Sequence, residues 1–328
     1  MTNKLKKIAV LTSGGDAPGM NAAIRAVVRC SAFHNLQCVG IYRGFQGLIE
    51  NDLVELSARS VKNIINRGGT FLKSARSKDF MEKEGREKAY QNLKNAEIDA
   101  LVVIGGDGSF TGASVFGKEF GFPIVGIPGT IDNDINETDF TIGYDTALNT
   151  VIEAIDKIRD TASSHNRLFM VEVMGRNAGH IALNAGIGAG AEEILIPEEN
   201  LGKDRLIETL KRSKLAGKTS TIVVVSEGDK IGKNIFELAE FVENNIEGYE
   251  VRVSILGHMQ RGGTPGCFDR VLASRMGVKA IDSLVAGKQN VMIGIQNNKM
   301  VEIPFEKAIK NKQTIDPELI RVSDIVSM

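Results

Sequence analysis

The sequence has little of what several large classes of protein depend on. Tryptophan is absent and aromatic residues make up 5% of the chain, so recognition of nucleic-acid bases by stacking is not expected. The formal net charge is −1, so there is no general basic field for a polyanion. No apolar run approaches the ~18 residues of a membrane helix. The N-terminal MTNKLKKIAVLTSGG lacks the apolar stretch of a signal peptide. These absences predict a cytoplasmic protein with no nucleic-acid or membrane partner.

Cysteine is also scarce. The three cysteines are Cys30, Cys38 and Cys267. An odd number without CxxC spacing argues against a disulfide scaffold and against a zinc site. We interpret all three as small core residues in a reducing compartment.

The chain is, in contrast, rich in glycine, and its order of elements is regular. The length of 328 residues with 35 glycines predicts two lobes, because one core usually serves ~100–200 residues. Eight strands are predicted, at 7–12, 37–42, 99–104, 123–127, 168–173, 220–225, 250–255 and 291–295. Nine helices are predicted, at 18–33, 58–66, 86–96, 109–119, 141–162, 178–188, 203–216, 234–246 and 268–286. This alternation predicts an α/β fold with mostly parallel sheets. The chain is expected to cross between the lobes at 141–162 and to return near 257–263.

Two glycine loops follow predicted strands, where open α/β sheets bind ligands. TSGGDAPGMN at 12–21 contains Gly14 and Gly15, which let the backbone approach a phosphate at the start of a helix. A tight turn without a ligand is the alternative. IGGDGS at 104–109 places Asp107 among glycines, where a carboxylate could hold Mg²⁺ on phosphate oxygens. The alternative for Asp107 is a helix N-cap.

A third loop, PGTIDND at 128–134, contains two carboxylates. Asp132 and Asp134 lie two residues apart, so an extended backbone points both, with Thr130, to one side. One of the carboxylates could take a proton from an attacking hydroxyl. The alternative is a polar turn stabilised by its own aspartates.

A phosphoryl-transfer site also needs fixed positive charge. The candidates are Arg76, Arg167, Arg176, Arg252, His258 and Arg261. For any one of the arginines the alternative is a solvated surface ion pair, and for His258 it is a structural histidine with its hydrogen bonds satisfied.

These motifs, together with MGR at 174–176 and GHMQRGG at 257–263, closely resemble those of the bacterial ATP-dependent 6-phosphofructokinases. The resemblance covers roughly residues 5–300. It implies transfer of the ATP γ-phosphoryl group to the 1-hydroxyl of fructose 6-phosphate by a homotetramer. It also implies two Rossmann-like lobes with mostly parallel sheets: an ATP-binding lobe at 1–141 plus 258–308, and a fructose 6-phosphate-binding lobe at 142–257 plus 309–328.

The resemblance also assigns roles residue by residue. The catalytic residues would be Asp132 as general base, with Thr130, Arg176 and Gly15. ATP would be bound by Gly15, Arg76, Ser77, Gly106, Asp107, Gly108 and Ser109, with Asp107 on Mg²⁺. Ser77 stands where the family often has an aromatic residue. Fructose 6-phosphate would be bound by Thr130, Asp132, Asp134, Arg167, Met174, Gly175, Arg176, Glu227, Arg252, His258 and Arg261. In the family the equivalents of Arg167 and Arg252 come from a neighbouring subunit.

Two glycines bear on the phosphoryl donor. Pyrophosphate-using relatives carry Asp in place of Gly108 and Lys in place of Gly129, and an acidic side chain at 108 would repel the ATP α-phosphate. The resemblance therefore favours ATP. A pyrophosphate-dependent enzyme is the alternative, and a non-catalytic nucleotide sensor on the same fold is another.

The family also has an effector site for ADP or phosphoenolpyruvate. Its pattern is matched by Arg25, Arg29, Arg159, Gly190, Glu192 and Lys218. Ala58, Ala216 and Ser220 depart from it, which leaves the choice of effector open.

Overall fold

The computed structural model describes residues 5–163, 167–199, 202–218 and 220–327. The chain forms two compact units. Unit 1 consists of Met1–Thr130, Ile135–Thr146 and Arg261–Gln313, and unit 2 consists of Ile131–Asp134, Ala147–Gln260 and Thr314–Met328.

Strands and helices alternate along the described residues. The strands are β1 (Lys7–Thr12), β2 (Gln37–Ile41), β3 (Leu53–Leu56), β4 (Ala100–Gly105), β5 (Ile124–Pro128), β6 (Leu168–Val173), β7 (Glu193–Leu195), β8 (Thr221–Ser226), β9 (Val251–Ile255), β10 (Val291–Gln296) and β11 (Lys299–Pro304). The α-helices are α1 (Met20–Phe33), α2 (Gly44–Glu50), α3 (Lys83–Asn95), α4 (Asp107–Phe120), α5 (Tyr144–Ser163), α6 (His180–Gly188), α7 (Lys203–Leu215), α8 (Ile235–Asn245), α9 (Cys267–Val285), α10 (Phe305–Lys310) and α11 (Pro317–Val326).

Unit 1 is built on a seven-stranded sheet in the order β11-β10-β5-β4-β1-β2-β3. Its strands pair in parallel except for β2 with β3 and β10 with β11, which are antiparallel. After β1 the chain builds outward to β2, and β4 then returns to the other side of β1. Ligand crevices of open α/β sheets form where the strand order reverses in this way. The reversal here lies between the ends of β1 and β4, which the two glycine loops follow.

Aromatic side chains fill much of the space between the unit 1 sheet and its helices. Phe45 and Phe80 stack with ring centroids 4.0 Å apart, and Phe110 stacks on Phe305 at 5.5 Å. Phe110 and Phe116 are completely buried. Each fully buried Phe contributes about 1.5–3 kcal/mol, so this core holds the strand ends in place.

Unit 2 is built on a smaller sheet, and its four strands are all parallel in the order β7-β8-β6-β9. All six residues of β8 are buried, as expected for a strand covered on both faces. Together the two sheets confirm the predicted α/β class with mostly parallel sheets.

The sequence prediction was wrong at 58–66 and incomplete elsewhere. The segment 58–66 forms turns instead of a helix. Asn63 is left-handed, with φ 61°, and this conformation interrupts a right-handed helix. The prediction omitted β3, β7 and β11 and the helices α2, α10 and α11, most of which are short.

A buried carboxylate fixes the start of α5. Asp269 is fully buried and accepts hydrogen bonds from the N–H groups of Gly143 and Thr146, each at 2.8 Å, and from the Thr146 hydroxyl at 2.5 Å. Nearby, the Thr141 hydroxyl donates to the carbonyl of Thr130 at 2.6 Å. Asp269 therefore anchors the segment that holds Thr130, a residue of the third loop.

Among the described residues, none of the helices combines the length and the apolar character needed to cross a membrane.

Asp269 is expected to make stability depend on pH. Burial raises the pKa of its carboxyl from 3.8 to about 6, although its three donors oppose this rise. The folded chain therefore holds this proton more tightly than the unfolded chain. The resulting contribution of Asp269 to the free energy of unfolding is complete below pH ~4 and is lost as pH rises through ~6. Urea unfolding of the wild type and of Asp269→Asn across this range should show a wild-type-specific loss on the order of 3 kcal/mol. If the free energy of unfolding of the two proteins changes with pH in the same way, Asp269 is not the group responsible.

Candidate active site

The carboxyl ends of three adjacent strands of unit 1 come together. The Ser13 N–H donates to the Ile104 carbonyl at 2.9 Å, and the Gly129 N–H donates to the Gly105 carbonyl at 3.0 Å. A Cβ on Gly105 would lie 2.5 Å from the Ser13 carbonyl oxygen, so only glycine permits this approach. The loops at 12–21, 104–109 and 128–130 therefore form one continuous surface.

Gly15 and Arg261 meet on this surface. A Cβ on Gly15 would lie 2.6 Å from Nη1 of Arg261. The same nitrogen donates to the Asp16 carbonyl at 3.2 Å. A guanidinium held over a glycine loop can contact an anion that the loop's backbone N–H groups also bind.

Three side chains that the sequence analysis missed tie the loop of Arg76 and Ser77 to the first glycine loop. The Ser74 hydroxyl donates to the Gly14 carbonyl at 2.5 Å, and the Thr12 hydroxyl donates to the Lys73 carbonyl at 2.8 Å. Asn21 accepts from the Phe71 N–H at 2.6 Å. These are ordinary polar residues, and nothing in their spacing predicts the contacts. They tie the segment 71–74 to the first glycine loop, and the exposed Arg76 follows this segment by two residues.

The start of α4 carries the second glycine loop. Gly106 occupies the N-cap position and Asp107 is the first helical residue, so the N-cap alternative for Asp107 is not the observed arrangement. Asp107 and Gly108 are exposed, whereas Ser109 is buried. No atom lies within 4 Å of a Cβ placed on Gly108. Backbone N–H groups and a carboxylate thus face solvent together at a helix N-terminus, an arrangement suited to a metal-bound phosphate.

The third loop runs from unit 1 into unit 2 between Thr130 and Ile131. Thr130 is next to the second glycine loop, since a Cβ on Gly106 would lie 3.7 Å from the Thr130 Cβ. In unit 2, Asp132 is 2% exposed and Asp134 is 7% exposed. Both aspartates are therefore held inside the protein.

Arg176 supplies the counter-charge of Asp132. Its Nε lies 3.4 Å from Oδ2 of Asp132, and the Arg176 side chain is 60% exposed. A buried carboxylate is strongly disfavoured without such a partner. Because the guanidinium reaches solvent, it can contact a phosphoryl group as well as Asp132.

A left-handed turn after β6 positions the Arg176 side chain next to Asp132. Gly175 has φ 141° and Arg176 has φ 55°, a conformation that is costly for a residue with a side chain. Oε1 of Glu227, which follows β8, accepts hydrogen bonds from both of their N–H groups, at 3.2 and 2.7 Å. Glu227 thus stabilises the turn that brings Arg176 to Asp132.

Gln260 links this turn to the segment that carries His258. It is completely buried. Its Oε1 accepts from the Met174 N–H at 3.2 Å, and its Nε2 donates to the Gly257 carbonyl at 3.0 Å. The sequence analysis did not single out Gln260, although it lies within GHMQRGG. His258 lies in the same 3₁₀ helix, Gly257–Arg261.

The structure does not bring Arg167 and Arg252 to this group. Arg167 precedes β6, and Arg252 pairs with Phe169 at the start of that strand. Both arginines form ion pairs with Glu250, at 2.8 Å for Arg167. The turn at 174–176 leaves the opposite end of β6. Six residues of strand span ~20 Å, so neither arginine reaches Arg176 within one chain.

The residues assigned to an effector site lie in two groups. In unit 2, Glu192 is 6% exposed, and its Oε1 lies 4.0 Å from Nη1 of Arg159 and 3.5 Å from Nζ of Lys218. Arg159 also donates to the Gly190 carbonyl at 2.7 Å. In unit 1, burial and the neighbouring Arg29 lower the pKa of Arg25. Two cations one turn apart on α1 fit an anion, as do the two cations around Glu192.

Replacing Gln260 by leucine is expected to lower the free energy of unfolding by ~1–3 kcal/mol, because the buried Met174 N–H loses its acceptor. Chemical denaturation of Gln260→Leu measures this change. Met259→Leu is the matched control, since its exposed side chain should change stability by less than ~0.5 kcal/mol. Equal stabilities of the two variants would show that Gln260 does not hold the turn.

The family model described as phosphofructokinase matches residues 7–284. ATP-dependent 6-phosphofructokinase 2 of Bacteroides thetaiotaomicron is 54% identical over 318 residues, which is 97% of this chain and 97% of that protein. ATP-dependent 6-phosphofructokinase of Brevibacillus brevis is 52% identical over 324 residues, covering 99% of this chain and 100% of its own.

Solved structures show the same fold. Phosphofructokinase from Saccharomyces cerevisiae superposes with a TM-score of 0.88 at 39% identity, over 93% of this chain and 45% of the yeast chain. The chain thus spans less than half of that larger protein. A pyrophosphate-dependent phosphofructokinase from Nitrosospira multiformis gives a TM-score of 0.87 at 21% identity, over 98% of this chain and 92% of its own, and this likeness shows the fold alone. The family model covers most of the chain, and the curated relatives are more than 50% identical over nearly all of it. The chain therefore belongs to the phosphofructokinase family.

Proposed function

We propose that this chain is an ATP-dependent 6-phosphofructokinase, which phosphorylates fructose 6-phosphate to fructose 1,6-bisphosphate in glycolysis. The observation that carries the proposal is the buried carboxylate of Asp132 with the exposed guanidinium of Arg176 beside it. The activity for which the bacterial relatives are named, at 50–54% identity over nearly the whole chain, supports it.

In the proposed reaction Asp132 acts as the general base. It takes the proton of the sugar 1-hydroxyl as that oxygen bonds to the γ-phosphorus. The bond from the γ-phosphorus to the β–γ bridging oxygen breaks, and ADP leaves. Arg176 and Thr130 donate to the oxygens of the transferred group, where charge accumulates. Gly15 contributes a backbone N–H at the same phosphoryl group.

ATP would bind on the unit 1 surface. The start of α4 would offer the N–H groups of residues 106–108 to the phosphates, with the Ser109 side chain as a further ligand, and Arg76 and Ser77 lie on the adjoining loop. Asp107 would hold Mg²⁺ together with phosphate oxygens. The donor set fits, because Mg²⁺ usually takes one or two carboxylates plus phosphates. When bound, the ion would neutralise phosphate charge.

Fructose 6-phosphate would bind mainly through unit 2. The residues that would hold the sugar and its phosphate are Asp132, Asp134, Met174, Gly175, Arg176, Glu227 and His258. The family pattern also assigns Thr130 and Arg261 to this substrate. Glu227 accepts from the two N–H groups of the left-handed turn through Oε1, which leaves Oε2 for a sugar hydroxyl.

A homotetramer with shared active sites explains the position of Arg167 and Arg252. They lie at the far end of β6 from Arg176, so in one subunit they cannot complete the substrate site. Strand β9, which carries Arg252, is an edge strand of its sheet, where another subunit can approach. These two arginines would therefore bind substrate in a neighbouring subunit.

Regulation by ADP or phosphoenolpyruvate is also proposed. The cations around Glu192 are Arg159 and Lys218, with Gly190 adjoining, and they would bind an anionic effector. The family pattern assigns Arg25 and Arg29 to the same effector. Glu192 would hold the metal ion of a nucleotide effector. A cytoplasmic location is proposed because both substrates are multiply charged and do not cross membranes unaided.

Replacing Asp132 by asparagine is expected to lower turnover by ~10²–10⁴-fold, because the neutral amide cannot accept the hydroxyl proton. A coupled assay for ADP formation with fructose 6-phosphate measures the change. ATP affinity, measured by isothermal titration, should be unaltered, since the ATP ligands lie on other loops. Near-normal turnover would refute the assignment of Asp132 as base.

The donor preference is tested at Gly108. The exposed, open position accepts a side chain without steric conflict, so Gly108→Asp should fold and should lose ATP use through repulsion of the α-phosphate. Gly108→Ala is the matched control, and it should retain ATP use. Steady-state assays with ATP or pyrophosphate distinguish the outcomes. If pyrophosphate is the better donor for the wild-type chain, the ATP assignment is wrong.

A further inference from the structure

A thiol, an imidazole and a carboxylate converge at the C-terminal end of α1. Cys30 on α1, His34 just after it and Asp282 on α9 each offer one ligand atom, and the three atoms lie within 4.8 Å of one another. Nε2 of His34 is 2.9 Å from Oδ1 of Asp282, and Sγ of Cys30 is 3.9 Å from the same oxygen. None of the three belongs to the surfaces assigned above to ATP, fructose 6-phosphate or effectors.

We propose that Cys30, His34 and Asp282 form a binding site for a Zn²⁺-like divalent ion. Thiolate, imidazole and carboxylate are the donors that Zn²⁺ takes in proteins, and three protein ligands plus water is a common set. Mg²⁺ prefers an all-oxygen set, so this site would be distinct from the Mg²⁺ bound with ATP. The sequence pattern did not indicate it, since Asp282 lies about 250 residues from Cys30.

Binding would require the ligand atoms to move: the separations are 2.9 Å for His34–Asp282 and 3.9 Å for Cys30–Asp282, and the Cys30–His34 separation is at most 4.8 Å. Tetrahedral Zn²⁺ with bonds of ~2.0–2.3 Å separates its ligand atoms by about 3.3–3.5 Å. The His34–Asp282 pair would open slightly and the Cys30–Asp282 pair would close slightly. The His34 and Asp282 side chains are 27% and 49% exposed, so both can rotate, and water can reach the fourth position from their side.

The backbone beneath the site is held firmly. Helices α1 and α9 pack closely, and a Cβ on Gly277 would lie 2.6 Å from the Cβ of Ala26. Cys30 is 7% exposed, with its thiol also 3.8 Å from the Val278 carbonyl. The edge of the His34 ring faces Phe33, with centroids 5.3 Å apart. Ligands on such rigid elements lose little entropy when an ion binds.

An ion at this position would cross-link the end of α1 to α9. Arg25 and Arg29 lie on the same helix as Cys30. Arg29 is about one turn, and Arg25 about two turns, before the C-terminal end of α1. Bound metal would therefore stiffen the helix that carries these two cations.

The test is a Co²⁺ titration of the full chain, reduced with a phosphine and stripped of metal by chelation. Co²⁺ reports thiolate ligation through a near-ultraviolet charge-transfer band and tetrahedral geometry through strong visible bands. The expected result is one Co²⁺ per chain with both signals, displaced by Zn²⁺ and unaffected by Mg²⁺. Absence of the thiolate band in the wild type would overturn the proposal and leave a hydrogen-bonded cluster only.

Variants locate the ion. Cys30→Ser should abolish the thiolate band, and Asp282→Asn should weaken Co²⁺ binding by ~10-fold or more, at least the effect of losing an outer-shell partner. Cys267→Ser is the matched control and should keep the band. Cys267 lies on α9 outside the cluster and is exposed, so its interpretation as a core residue was wrong. A band that survives in Cys30→Ser but disappears in Cys267→Ser would assign the ion elsewhere. Circular dichroism of each variant checks that it is folded.

Discussion

The ion pair between Arg176 and Asp132 is the interaction on which the proposed chemistry depends. Asp132 is almost completely buried, and its charge is tolerable there because the Arg176 guanidinium lies 3.4 Å away. Arg176 reaches it only from a left-handed backbone conformation. Glu227 and Gln260 hold that conformation through backbone N–H groups of residues 174–176. Strain at one turn is thus offset by hydrogen bonds from two neighbouring segments.

The two units share one structural plan. In each unit, parallel strands end side by side, and the loops after them carry the candidate functional residues. In unit 1 these loops present glycines and the start of α4, which suit phosphates. In unit 2 the loops after β6 and β8 present Arg176 and Glu227. Thr130 and Asp132 are separated by a single residue, so the chain itself connects the two sets.

Much of the fold, and the loops that carry the candidate site, could be predicted from the sequence. Buried strands such as 168–173 were recognisable as continuous apolar runs, and glycine loops after strands indicated phosphate binding. Gln260, Asn21 and Ser74 were missed because their roles come from tertiary hydrogen bonds, which leave no periodic or compositional pattern. The helix predicted at 58–66 was wrong because Asn63 adopts a left-handed conformation, which interrupts a helix. Short elements such as β7 carry too few residues to show a pattern.

The pH dependence of kcat/KM for fructose 6-phosphate tests most directly whether Asp132 is the base. If Asp132 is the base, kcat/KM of the wild type should fall at acidic pH as one carboxylate takes up a proton. The residual activity of Asp132→Asn should lack this fall, provided that circular dichroism shows the variant folded across the range. An unchanged acidic limb in Asp132→Asn would contradict the account, because another group would then be accepting the proton.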